Sequence, residues 1–296
     1  MSDKQWRGTT DGTPWMHRAL VGILKVVPVG VVYFLMGFTI IFYMILRPKA
    51  YLAIYHYFRK RHGYGVLKSY YSTWKDYLLF GEVVIDRFAA FAGRTFKVDL
   101  GNNQIFMDLL SQENGFMMIG AHVGNDEMSG YMLKSPKRVN ALIYGGESGE
   151  VALNRIRTLG ENNVRLIPVK EDMSHLFALY SALSDGEIVN IHADRLLPDS
   201  KALRVKILGA EADILKGPFS LAAMKEVPAV SAFIMKEGAM KYHIWISRLD
   251  VGLSEGASRE EREEHLASRY AEELEKILLK YPHQWFNFHE FWGEDK

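Results

Sequence analysis

The chain has 296 residues, 36 basic and 35 acidic side chains and a formal net charge of +1. This balance argues against a nucleic-acid partner, because a surface that tracks phosphates needs a basic excess. Its 48% hydrophobic content supports a sizeable core and excludes a disordered chain. The absence of cysteine excludes disulfides, thiolate catalysis and cysteine-ligated zinc or iron–sulfur clusters.

The first element is apolar. From Val26 to Leu46 the sequence VVPVGVVYFLMGFTIIFYMIL carries no charge, and at helical rise it is long enough to cross a hydrocarbon core of roughly 30 Å. RPKAY, which follows, is a poor cleavage site, so the segment reads as a retained anchor rather than a signal peptide. Pro28, Gly30 and Gly37 interrupt it, leaving open whether it spans the bilayer, lies in the interface or packs as a core helix. Arg7, His17, Arg18 and Lys25 precede it, while Arg47, Lys49 and RKRH at 59–62 follow. The heavier basic cluster puts residues 47 onward on the cytoplasmic side. The expected division is an anchoring segment over 1–50 and a single α/β domain over 51–296.

Residues 50–95 read as helical, rich in rings such as Tyr57, Phe58, Tyr70, Trp74 and Tyr77 that suit helix packing or a membrane interface. From about 115 the pattern changes to short apolar strands at 116–121, 139–144, 164–169, 187–193, 205–208, 229–235 and 242–247. Helices fit near 126–134, 149–160, 172–184 and 218–226. This alternation predicts an α/β fold with a mixed, largely parallel sheet flanked by helices, whose ligands gather at the carboxyl ends of the strands. A charged helix closes the domain over 258–280, with Leu266, Tyr270, Leu274, Ile277 and Leu278 as its apolar stripe and Ser258 and Glu261 as a capping box.

At 120–127 the chain reads GAHVGNDE. The apolar run FMMIGA ends in turn-forming Gly124 and Asn125, so His122 stands at the tip of a strand. On one continuous helix His122 and Glu127 would lie about 140° apart; around a strand-turn-helix junction they converge. Asn125 or Asp126 would cap the new helix and Glu127 would lie in its first turn. A carboxylate holding the imidazole in one tautomer leaves the other nitrogen to take a proton, which is general-base logic.

This stretch resembles the His-x4-Asp/Glu signature of the lysophospholipid acyltransferase-like superfamily, and more closely the His-x-Gly-Asn-Trp-Glu reading of bacterial lipid A late acyltransferases. RIRTLG at 155–160 is similar to the family's Arg-x-x-Gly element, NIHADR at 190–195 to a strand ending in Asp, and ILGAEADILKGPFSLA to a Gly-Pro helix start. The C-terminal PHQWFNFHEFW is similar to a Pro-x-Gln-Trp ending, whose histidines, His283 and His289, read as structural. Asp126 stands where the family has Trp, which leaves open which carboxylate orients His122; the family spacing favours Glu127.

The resemblance implies transfer of a fatty acyl group from an acyl carrier protein or coenzyme A thioester to a hydroxyl or amine of a lipid or glycolipid acceptor, with no metal or organic cofactor. It places the catalytic domain on the cytoplasmic face of a bacterial inner membrane. His122 would deprotonate the acceptor and Glu127 would orient it. Arg157 would serve the acyl-transfer centre or an acceptor phosphate, and Asp194 and Arg195 would lie in the substrate site unless they form only a surface ion pair or cap. Lys216 and the amides after Gly217 could bind a phosphate. Two other classes remain: a metal-dependent hydrolase using His122, His192 and Asp194, although His-Glu-x-x-His is absent, and a non-catalytic membrane adaptor.

Overall fold

The computed structural model describes residues 13–101, 104–132, 135–143, 149–170, 172–196 and 200–293. Arg7, and the ends of the expected helix and strand at 133–134 and 144, lie outside the described residues. A charged-and-apolar helix α1 (Pro14–Val26) ends where the uncharged run begins, and after the break at Pro28 the run forms one helix, α2 (Val29–Leu46). With 18 residues, α2 is long and apolar enough to cross a membrane. One face packs on α4 (Val66–Phe91), beyond the shorter α3 (Pro48–His56) and a π-helical turn at Tyr57–Arg61. Gly81 of α4 makes the close approach possible: a Cβ there would lie 2.2 Å from Met36 Sδ. The outer face, with Phe34, Leu35, Phe38, Ile41, Phe42 and Ile45, is bare.

The domain then runs β1 (Lys97–Asp99), α5 (Gln104–Ser111), β2 (Phe116–Gly120), α6 (Glu127–Met132), β3 (Val139–Ile143), α7 (Gly149–Gly160), β4 (Val164–Pro168), α8 (Ser174–Ser184) and β5 (Ile188–His192). It continues with β6 (Ala202–Ile207), β7 (Ala210–Leu215), α9 (Gly217–Lys225), β8 (Ala229–Gly238), β9 (Lys241–Arg248) and α10 (Arg259–Lys280). Seven strands form one sheet in the order β1-β9-β8-β2-β5-β3-β4, parallel throughout except for the β8–β9 pair. The mixed, largely parallel sheet read from the sequence is therefore present.

Side chains of the central strands alternate between the two faces, as the strand period of two requires. Met117, Ile119, Val189 and Ile191 join α8, α9 and α10 in one core, while Phe116, Met118 and Ile188 pack with α5 on the other side. A further core joins α1, α2 and α4 to β9 and α6. Helix α10 carries the expected capping box, with the Ser258 side chain accepting from Glu261 N–H and Glu261 accepting from Ser258 N–H.

Four elements depart from the sequence reading. The strand expected at 205–208 is not in the main sheet: it belongs to β6, which pairs only with β7 in a separate hairpin. Leu208 at φ +49° and Gly209 at φ +78° make the tight turn, as a two-residue hairpin with both central residues left-handed requires. β7, whose sequence AEADIL carries two carboxylates, is not among the expected strands, and the short β1 and α5 are likewise absent from the expected elements.

Candidate active site

β2 and β5 run parallel side by side, with Gly120 opposite His192 in register. Both strands therefore release their next residues at the same edge, the carboxyl end of the sheet, where binding clefts of open α/β sheets form. After β2 comes the loop Ala121–Asp126. Gly124 adopts φ +57°, and a Cβ on it would fall 2.0 Å from Ile234 O. Only glycine fits here, and it lets the chain turn hard against β8. Gly124 N–H donates to Gln284 O at 2.8 Å and Asn125 N–H to Ile234 O at 2.8 Å. The Asn125 side chain is turned inward, donating to Tyr242 Oη at 3.2 Å, so it does not cap α6. Glu127 does open that helix, as expected.

The carboxylate on His122 is Asp194. His122 Nδ1–H donates to Asp194 Oδ1 at 2.8 Å, and the His122 backbone N–H donates to Oδ2 at 3.0 Å. A third donor, Trp285 Nε1–H, reaches Oδ2 at 3.1 Å. Asp194 is fully buried, and burial alone would favour its neutral form. The His122 interaction and the charges of Arg195 and His192 outweigh this and hold the carboxyl well below its ordinary range. His122 is pushed down to about 4, first by burial, then by the Arg195 guanidinium. Its Nε2 has no hydrogen-bond partner among the described residues, and the ring is 29% exposed. The result is a neutral imidazole with its proton fixed on Nδ1 and a free acceptor at Nε2.

Glu127, expected on the imidazole, is held elsewhere. It pairs with Arg155 of α7 and with Arg87 of α4 at 3.3 Å, and accepts from the Tyr131 hydroxyl. Burial, then the like charge of Arg87, pushes the Arg155 guanidinium down to about 9. The element RIRTLG thus contributes Arg155 to the site, while Arg157 is exposed on the same helix. Arg155 and Arg87 were missed: the Arg-x-x-Gly spacing singles out Arg157, whereas the partners of Glu127 are Arg155, two residues earlier, and Arg87 in a long helical stretch.

Beside His122 lies a second pair. His192 meets the His122 ring edge-on, with centroids 4.7 Å apart, and its Nε2 lies 3.1 Å from Asp126 Oδ2. The cluster His122, His192 and Asp194 named for a metal does not converge on one point, since Asp194 and Asp126 each accept from an imidazole. Among the described residues no group of three or more His, Asp or Glu could hold a metal ion.

The C-terminal segment walls the site. Val123 bridges to Trp285, Phe286 N–H donates to His122 O at 3.0 Å, and Arg195 Nη2 donates to Phe286 O at 2.9 Å. Arg195 therefore fastens the tail behind Asp194. Lys216 pairs at 2.8 Å with the buried Glu263 of α10, and Gly217 opens α9, where Pro218 and Phe219 are buried. His283 bonds Ser72 and His289 borders a tiny cavity by Trp292, in keeping with structural roles. Under the loop, Tyr33 of α2, Lys236 and Tyr242 converge on Asp86, and Tyr242 carries that network to Asn125.

The profile of the family described as bacterial lipid A biosynthesis acyltransferase matches residues 90–294. The chain belongs to this family. The match covers every strand but the first four helices only at the end of α4, and includes His122, Glu127, Asp194 and the tail. The protein is an acyltransferase of lipid biosynthesis. Among solved structures, the crystal structure of the 1-acyl-sn-glycerophosphate acyltransferase PlsC from Thermotoga maritima is similar at 16% identity, over 78% of this chain and 95% of that one, with a TM-score of 0.33. No curated protein sequence matches the chain significantly.

Proposed function

We propose that the protein transfers a fatty acyl chain from a thioester of acyl carrier protein or coenzyme A to a hydroxyl or amine of a membrane lipid or glycolipid resembling lipid A, with His122 as general base. The observation that carries this reading is the Asp194–His122 pair, with Nδ1 committed to a buried carboxylate and Nε2 left open. A base of this kind is available at neutral pH, and the carboxylate stabilises the imidazolium formed as the acceptor gives up its proton. The oxygen or nitrogen nucleophile attacks the thioester carbonyl, the tetrahedral adduct collapses, and the thiolate leaves with the proton held by His122. No covalent enzyme intermediate is needed. Glu127, clamped between Arg87 and Arg155, supports the loop and orients the two guanidiniums toward an anionic substrate group; Arg157, Arg195, Lys216 and Gly217 lie outside this first set of contacts.

We further propose attachment to the cytoplasmic face of the bacterial inner membrane, with residues 1–50 as the anchoring segment and 51–296 as the catalytic domain. The bare face of α2 supports this, as does an apolar groove of about 390 Å³ lined by Ile41, Met44, Ile45, Tyr51 and Trp74. Leu67, Tyr70 and Tyr71 of α4 are exposed and add rings and aliphatic surface.

The test is mass spectrometry of lipids formed when detergent-purified protein meets acyl carrier protein or coenzyme A thioesters and a bacterial lipid extract. The expected product is heavier by one acyl group and absent with His122→Ala. If neither donor gives such a product, the reading fails.

A further inference from the structure

The acyl-transfer reading uses one of two histidines that stand together at the end of the sheet. His192 is supported as carefully as His122. It ends β5 directly opposite Gly120, and a Cβ on Gly120 would lie 2.7 Å from His192 Cδ2 and 3.1 Å from its Nε2, so the missing side chain makes room for the ring. Asp126 comes from the turn before α6 to accept from Nε2 at 3.1 Å. Nδ1 has no hydrogen-bond partner among the described residues, and the ring is 21% exposed. Asp126 stands where the His-x-Gly-Asn-Trp-Glu reading that GAHVGNDE resembles has Trp.

Resting on the acyl-transfer reading, we propose that His192, braced through Nε2 by Asp126, is a second catalytic group whose Nδ1–H donates to the thioester carbonyl oxygen as that oxygen becomes negative. The titratable and charged groups around it are Asp126, Asp194, Arg195 and the neutral His122, with Arg87 acting on Asp126. Burial works against the charged ring, but the charge and hydrogen bond of Asp126 outweigh it and raise His192 above its ordinary value. His122, 4.7 Å away, is driven down, and His192 contributes to that lowering. Two adjacent imidazoles pushed in opposite directions leave one to accept a proton and the other to donate a hydrogen bond.

The steps balance. His122 Nε2 takes the acceptor's proton as the nucleophile bonds to the carbonyl carbon. The C=O π pair moves onto oxygen, where the His192 Nδ1–H meets it. Collapse restores C=O and breaks C–S with the electron pair leaving on sulfur. His122 passes its proton to that sulfur, giving the acylated lipid and a free thiol. His192 keeps its proton throughout. Loss of one oxyanion donor typically lowers kcat by about 10²–10³-fold.

The experiment uses full-length protein, dodecanoyl-acyl carrier protein and a bacterial lipid extract, with thiol release measured across pH for wild type, His192→Gln and Asp126→Asn. Histidine ¹³Cε1 resonances are titrated by NMR in the same preparations. Wild-type kcat should fall at alkaline pH as His192 loses its proton. His192→Gln should lower kcat at least 100-fold, leave KM for the thioester within threefold and abolish the alkaline limb, while Asp126→Asn should shift that limb to lower pH. The resonance lost in His192→Gln should titrate above pH 6.5 in wild type and lower in Asp126→Asn. A resonance titrating below 6.5 overturns the proposal whatever the activity. Wild-type turnover with the alkaline limb intact in His192→Gln overturns it while leaving acyl transfer standing. Absence of wild-type turnover overturns the acyl-transfer reading and this role with it.

Discussion

Asp194→Asn separates the two carboxylates that could orient the base. All three groups facing Asp194 are donors: His122 Nδ1–H at 2.8 Å, His122 N–H at 3.0 Å and Trp285 Nε1–H at 3.1 Å. An asparagine has one accepting oxygen. If that oxygen takes the Oδ2 position it keeps two of the three bonds, and the amide N–H faces His122 Nδ1, which must then be the acceptor. The imidazole proton moves to Nε2 and the base is lost. The opposite orientation sets the amide against two N–H donors and strands both, at about 1–3 kcal/mol each in a buried site. The first orientation wins. The fold should survive with a small drop in melting temperature, while kcat falls about 10³–10⁴-fold, as for a triad forced into the wrong tautomer, or about 4–5.5 kcal/mol in the barrier. Thiol release at saturating thioester, read beside Glu127→Gln, measures it. Retention of kcat within tenfold with an unchanged melt would refute the assignment. A thousandfold loss in Glu127→Gln alone would return the orienting role to Glu127.

Gly124→Ala places a left-handed residue and a Cβ against Ile234 O. It should cost upwards of about 2 kcal/mol in urea unfolding and, by displacing His122, about 10²-fold in kcat. Lys236 is 2% exposed and bonds Asp86 at 2.6 Å; Lys236→Met should cost about 3–5 kcal/mol by leaving a buried carboxylate unpaired, and adding Asp86→Asn should recover most of the loss in the same assay. His62, His122, His283 and His289 are lowered to about 4, each chiefly by burial. Their folded values lie below the unfolded ones, so the unfolded chain takes up protons first as pH falls. Stability should be full above about 6.5 and decline toward 4, with a lower urea midpoint at pH 5 than at 7.5; equal midpoints would contradict it. Phe34, Phe38 and Phe42 recur every fourth residue on the bare face of α2, each more than half exposed. Changing all three to Glu should weaken vesicle binding at least 100-fold, since each acidic group in hydrocarbon costs about 2–3 kcal/mol, with the melting temperature unchanged.

The sheet was legible because its central strands are buried on both faces and read as continuous apolar runs, FMMIGA and EIVNIHA among them. β7 was hidden by its composition: in AEADIL the apolar residues alternate with carboxylates, the pattern of a half-buried hairpin strand, and the pairing that makes it a strand depends on the turn at Leu208 and Gly209. Within the site, His122 was legible from a strand ending in turn residues. Asp194 was placed in the site by the resemblance, but its pairing with His122 and Trp285 was not legible, because Asp194 lies 72 residues from His122 and Trp285 is 91 residues from Asp194. Local spacing ranked Glu127 first, although the turn at Gly124 points that carboxylate toward Arg155 and Arg87.

The tail and the N-terminal helices have a consequence for the site that local reading could not reach. Gln284 donates to Lys236 O and accepts from Lys236 N–H, both in β8, while the adjoining backbone holds Gly124 and His122. The same Lys236 sends its ammonium to Asp86 and to Tyr33, on the helix whose other face is bare. The His122 loop is thus fixed between a C-terminal clamp and a buried polar network that includes α2. Because the buried Asp86 depends on Lys236 and the two tyrosines for its partners, a displacement of α2 removes a donor from Asp86 and loosens Tyr242, the partner of Asn125. If α2 seats against lipid as proposed, that seating and the hold on His122 beside Asp194 are mechanically coupled. Under the proposed anchoring role, the hydrophobic segment would serve the chemistry as well as the address, since this apolar helix with an exposed outer face carries a tyrosine hydroxyl directed at a buried aspartate.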